Sequence, residues 1–210
     1  MNDVFAKVAA ERRELADLLD GLTDEQWNAA SLCAGWRMRE VAAHVVMPFS
    51  LSLPRLFLKL AGNRFDFDRV ADRWAKAEQR SNAELVSALR ANVDHRFTPP
   101  GFGPEAPLTD AVVHGQDIRR PLGMATAVAP EHAVVVLDLL VSPKAARGFV
   151  RKGLVENLSL TATDADWTHG HGTPVIGSAD SLITVLAGRS GAIDELSGDG
   201  VAMLRSRLAE

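Results

Sequence analysis

Residues 36–48, WRMREVAAHVVMP, decide how the chain is read. Met38, Val41, Ala42 and Val45 recur at three- and four-residue intervals, the period of one helix face. Glu40 and His44 fall together on the flank of that stripe, so the imidazole borders a core rather than open water. Pro48 then bends or ends the helix, because it offers no N–H and its ring crowds the preceding turn. A histidine so placed is a satisfied structural side chain, a proton donor or acceptor, or a metal ligand. The rest of the chain has to choose among these.

Upstream, Phe5, Val8, Arg12, Leu15 and Leu19 form another helical stripe, followed by Gly21 as its C-terminal cap. Thr23 with Gln26 spells a capping box that opens a short helix through Trp27, and Ser81 with Glu84 spells a second before LVSALRANVDHRF. Downstream, TPPGFGPEAP (98–107) reads as a loop by its proline and glycine content, and LTDAVVHGQDIRR reads as helix up to Pro121. Pro130 suits the first turn of a further helix, EHAVVVLDLLV. Beyond Gly153 the period shifts toward two, so LVENLSLTATD reads as a strand, followed by the turn-rich DADWTHGHGTP, the apolar VIG and two more helices, ADSLITVLAG and DGVAMLRSRL. The expectation is a mainly α fold with an α+β part: a four- or five-helix bundle over 1–125 and a small α+β domain over 126–210.

The totals exclude several classes. With 23 Lys and Arg against 27 Asp and Glu, the net charge is −4, and no basic stripe or run of like charges suggests a nucleic-acid partner. The longest apolar run, Ala133 to Val141, is interrupted by Asp138 and too short to cross a bilayer. Cys33 is the only cysteine, which rules out an internal disulfide, and MNDVFAKVAAERREL lacks the apolar segment of a signal peptide, so a cytoplasmic location is expected.

In LTDAVVHGQD, Asp110 and His114 stand four apart and project from one helix face about one turn from each other. Two metal ligands on one helix need that spacing, and His44 from another helix would complete two imidazoles and a carboxylate. Such a set suits zinc with a fourth position left for water or substrate, and it suits iron or nickel as well. The same spacing also serves a plain surface hydrogen bond worth roughly 0.2–0.5 kcal/mol. Asp117, three after His114, is placed to receive the distal N–H of the ring or to pair with Arg119 or Arg120. His169 and His171 sit between glycines that fit a turn joining two strands, while His95 and His132 show no partner. Cys33 reads as core packing, and Trp27 and Trp36 as staples of the bundle or walls of a pocket.

The wording around these residues is more specific. DEQWNAASLCAGWRMREVAAHV, then TDAVVHGQDIRRPLG, then LTATDADWTHGHGTPVIGSADSLITVLAGR and LSGDG, together resemble the mycothiol-dependent maleylpyruvate isomerase family, across almost the whole chain. That resemblance implies a DinB-like helical bundle with a sterol-carrier-like C-terminal domain. It also implies a divalent metal, usually zinc, on His44, Asp110 and His114, and a catalytic arginine of the C-terminal domain, for which Arg189 is the positional match. The isomerase that names the family has glutamate at the position of Asp110, and many DinB-like proteins have histidine there, so the shorter aspartate bears on metal affinity. The implied activity is an isomerase or S-transferase acting on a small electrophile with mycothiol, the small thiol of actinobacteria. Arg189 would clamp a substrate carboxylate through two parallel hydrogen bonds. A metal hydrolase using bound water, and a binding module for a metal or small molecule that has lost its chemistry, are the alternatives the residues leave open.

Overall fold

The computed structural model describes residues 3–50, 62, 66–126 and 128–209. Among the described residues, the helices α1 (Val4–Asp20), α2 (Asp24–Asn28), α3 (Met38–Ser50), α4 (Phe67–Ala77), α5 (Asn82–Ala91) and α6 (Glu105–Arg119) build the first part. Then follow α7 (Pro130–Leu140), the strands β1 (Leu158–Ala162), β2 (Thr168–His169) and β3 (Thr173–Gly177), and the helices α8 (Ala179–Leu186) and α9 (Val201–Ala209). The architecture is thus the expected helical bundle with a small α+β part. No helix among the described residues is long and apolar enough to cross a membrane.

Helix starts are set by local chemistry. Thr23 Oγ1 accepts from the Gln26 N–H while Gln26 Oε1 accepts from the Thr23 N–H, and Ser81 and Glu84 make the same reciprocal pair, so each box satisfies two donors that a helix start leaves free. At α3, Glu40 reaches back to the Arg37 N–H at 2.9 Å and binds its guanidinium, which accounts for a buried glutamate beside the stripe. The proline at 48 does not end this helix. It lies inside α3 and leaves the carbonyl of His44 without the donor four residues on.

Helix α6 begins at Glu105, inside the segment expected to be loop, with Pro107 in its first turn where no N–H is needed. It packs against α1, α3, α7 and α8. From Ala106 to Ile118 only Asp110 escapes burial, as a helix at the centre of the molecule requires. Its two ends feed two cores. Ile118 joins Leu15, Leu19, Met38, Val41, Leu85 and Leu89 inside the bundle, whereas Leu108 and Val112 join Leu137, Leu160, Val175, Leu182 and Leu186 beneath the sheet. Arg120, just past α6, reinforces the junction through Asp180 Oδ2 at 2.7 Å and Glu195 Oε1 at 2.6 Å.

The strand is shorter than the alternation suggested: Leu154–Asn157 are turns, and pairing starts at Leu158. β1 is the central strand, antiparallel to β2 and parallel to β3. The glycines around His171 serve the turn between β2 and β3. Gly170 and Gly172 have positive φ, and a Cβ on either would sit within 2.4 Å of the carbonyl oxygens of Leu158 and Asn157. His169 stacks on Trp167, and neither His169 nor His171 belongs to a potential metal cluster among the described residues.

Replacing Ser81 by alanine removes one capping box and should lower stability by about 1 kcal/mol, a fall in Tm of about 2–4 °C for a chain of this size, read by thermal circular dichroism.

Candidate metal centre

His44 and His114, from α3 and α6, turn their Nε2 atoms toward one oxygen. Each lies 3.5 Å from Asp110 Oδ1. The rings meet edge to face with centroids 4.8 Å apart, and the three candidate ligand atoms all lie within 4.8 Å of one another. A four-coordinate ion with bonds of about 2.1 Å separates its ligands by about 3.4 Å, so two nitrogens and one oxygen at these distances fit such an ion with a position to spare. The shorter aspartate still reaches both rings. His44 Nδ1 is buried without a hydrogen-bond partner among the described residues, and the ring is held instead by Trp36, 5.2 Å away, and the edge of Phe67, 6.4 Å away.

The other nitrogen of His114 is anchored. His114 Nδ1 donates to Asp117 Oδ2 at 2.8 Å, which leaves Nε2 to face Asp110. Asp117 is fully buried and receives three further donors: Arg189 Nε at 2.9 Å on Oδ1, Arg189 Nη2 at 2.8 Å and the Cys33 thiol at 3.1 Å on Oδ2. Arg189 Nη2 also lies 3.2 Å from Cys33 Sγ. Arg189 thus lays two parallel hydrogen bonds on Asp117.

Local backbone geometry delivers each partner. α8 ends in a Schellman motif: the Gly188 N–H bonds the Val185 carbonyl, the Arg189 N–H bonds the Thr184 carbonyl, and Gly188 takes φ +87°, which swings Arg189 off the helix toward α6. Cys33 sits in a turn closed by Ser31 and Trp36, with Gly35 at φ +79°, and the Leu32 N–H docks this turn on the Asp117 carbonyl at 3.1 Å.

Electrostatics follow from burial and pairing. Although Asp110 opens to the cleft, the protein around it displaces enough water to raise its carboxyl, but hydrogen bonds from His114 and His44 outweigh that and hold the group far below the usual carboxylate range. Asp117 is held low in the same way by His114 and Arg189. Burial works against the His114 imidazolium, yet Asp110 and then Asp117 raise it well above an ordinary histidine. Without a metal, a proton on His114 fills the place a cation would take.

His44, Asp110 and His114 line the floor of a cleft of about 990 Å³ between the bundle and the C-terminal part, with Asp117 buried behind them. Its described walls are largely apolar, with Trp36, Phe67, Phe97, Phe102 and Phe149 among them, and Arg12, Cys33 and Arg189 as polar points. Sequence reasoning placed Cys33 in the core and gave His132 no partner. The structure packs Cys33 against the bundle core and also brings it to the cleft, and it sets His132 Nδ1 2.6 Å from Glu11 Oε1 across α7 and α1. Both partnerships join segments far apart in the chain. Arg12 left a clearer signal, a charged residue on an apolar stripe.

Comparison with known proteins bears on the family and the fold. Residues 8–119 match the family model described as mycothiol maleylpyruvate isomerase N-terminal domain. Among solved structures, the mycothiol-dependent maleylpyruvate isomerase is similar at a TM-score of 0.58 and 16% identity, and a histidine-to-alanine mutant of it at 0.56 and 14%. Both alignments cover 94% of this chain and 92% of the other, and at such identity they speak for the fold. No curated protein matches the chain.

The stability of metal-free protein should depend on pH from both sides. Asp110 and Asp117 have lowered folded pKa values, so their contribution is present above about pH 4 and lost as pH falls further. His114 has a raised one, so its contribution is complete below about pH 6.5 and lost as pH rises through the folded value. Urea melts in chelator should show maximal stability between these limits, and His114→Gln should flatten the alkaline side.

Proposed function

The chain belongs to the mycothiol maleylpyruvate isomerase N-terminal domain family, and from that premise we propose that it is a metal-dependent enzyme that adds mycothiol to a small electrophile, as an isomerase or an S-transferase. The observation that carries the proposal is the convergence of His44 Nε2 and His114 Nε2 on one oxygen of Asp110 at the floor of a largely apolar cleft.

In this reading the bundle, residues 1–125, holds a divalent ion, with zinc the first choice for two imidazoles and a carboxylate and nickel or iron next. When bound, such an ion supplies Lewis acidity that strips the proton from a coordinated thiol. The chain's own residues do the rest. Asp117 holds the His114 proton on Nδ1, which keeps Nε2 free as a ligand. Arg189, from the C-terminal part spanning 126–210, holds the Asp117 carboxylate in register through its fork and so acts as a positioning residue. Trp36 and Phe67 flank the His44 ring and fix its orientation. The cleft, at about 990 Å³, is large enough to seat a sugar-linked thiol beside a small electrophile. For an isomerase, addition to a conjugated double bond allows rotation before elimination returns the alkene and the thiol; for a transferase, the adduct is released.

Purified protein should carry about one equivalent of metal per chain, and His44→Ala or His114→Ala should lose most of it. Elemental analysis with calorimetric titration of mycothiol checks this, with mycothiol binding more tightly than glutathione. Unchanged metal content in both variants would reject the proposal, and turnover of the electrophile without thiol would assign the site to water instead. Because Asp110 and Asp117 raise His114 well above an ordinary histidine, metal binding at its Nε2 should release protons, and the apparent heat should vary with the ionisation enthalpy of the buffer.

A further inference from the structure

Arg12 has the features of a residue that waits for a partner. It occupies an apolar stripe of α1 and is 5% exposed, yet it lines the cleft that also contains Asp110. Its guanidinium is held along one side only. Nη1 donates to the carbonyl oxygens of His95 at 2.7 Å, Val93 at 3.3 Å and Asn92 at 3.4 Å, and the group lies over the ring of Phe49 with its central carbon 5.0 Å from the centroid. Among the described residues, Nε and Nη2 make no hydrogen bond and no carboxylate lies within ion-pair distance. These are the same two atoms that Arg189 lays against Asp117.

A buried guanidinium keeps its charge and is costly without a counterion. Burial works against the charge of Arg12, and only the fields of Asp110 and Asp94, acting through space, oppose that. A divalent ion on the two histidines and Asp110 would more than cancel the Asp110 charge. Asp72, on the cleft wall, is already taken by Lys76 at 2.6 Å and by the Trp36 indole N–H at 2.9 Å. Asp68 also lines the cleft, but among the described residues neither it nor any other carboxylate forms an ion pair with Arg12, so the fork has no protein anion on it.

We propose that Arg12 selects the substrate of this cleft by receiving a carboxylate of the electrophile on its Nε and Nη2 fork, opposite the metal centre. This inference rests on the thiol-addition reading of the cleft and assigns specificity to a residue which that reading leaves unused. A carboxylate matches the fork with two parallel, charge-assisted hydrogen bonds, which an ester or amide cannot reproduce. The competing role is structural: Nη1 ties the exit of α5 to α1, and the rest of the group does nothing.

Calorimetric titration of succinate and succinamide into the protein as purified separates the two roles and needs neither thiol nor turnover, so it stands or falls apart from the thiol-addition reading. Wild type should bind succinate about 10- to 100-fold more tightly than succinamide. Arg12→Gln should bring that ratio close to one, with the KM for an unsaturated acid raised and kcat nearly unchanged. Arg12→Lys keeps the charge and a donor for the His95 carbonyl but loses the fork, so it should fall between, about tenfold weaker than wild type for succinate. The lysine variant decides the matter if the glutamine variant does not fold. Equal affinities for acid and amide in wild type, or an acid preference that survives in a folded Arg12 variant at full strength, would overturn the assignment.

Discussion

One buried carboxylate organises the molecule. Asp117 accepts hydrogen bonds from His114 on its own helix, from Cys33 in the turn before α3 and from Arg189 beyond α8, so three separated stretches of chain meet on two oxygen atoms. An ionised group in an interior is tolerated only when its lone pairs are used and its charge is matched, and both conditions are met here. Removing one of these donors leaves a charge in a medium that cannot solvate it. The fold and the candidate site therefore share their most demanding electrostatic element.

The reason this element lies where it does is the central position of α6. A helix packed on most of its surface gives its titratable residues little access to water, so an ionised one there needs a partner or an opening to the cleft. His114 and Asp117 pair with each other, and Asp110 turns to the cleft. Since α6 feeds the core of the bundle at one end and the core beneath the sheet at the other, the site is braced by both.

Much of this was legible in the amino-acid order, because much of it is local. The spacing of Asp110, His114 and Asp117 follows from helical geometry, and the capping boxes at Thr23 and Ser81 are read from side chains three residues apart. The α+β part was visible in the shift of period after Gly153, although the strand proved shorter because alternation continues through turns that make no ladder. The start of α6 was hidden by prolines that a first helical turn accepts. What stayed out of sight depends on distant segments meeting: Cys33 with Asp117, Glu11 with His132, and Arg189 with Asp117. No periodicity carries such information, since each partner obeys its own local rules.

His114 has one nitrogen turned to the open floor and the other to the hidden acid that the C-terminal arginine grips. The ring cannot flip without leaving both acceptors unserved. A cation bound at Nε2 would take the place of a proton there, so the ring that the open floor sees is the same ring that Asp117 and, through it, Arg189 hold from behind.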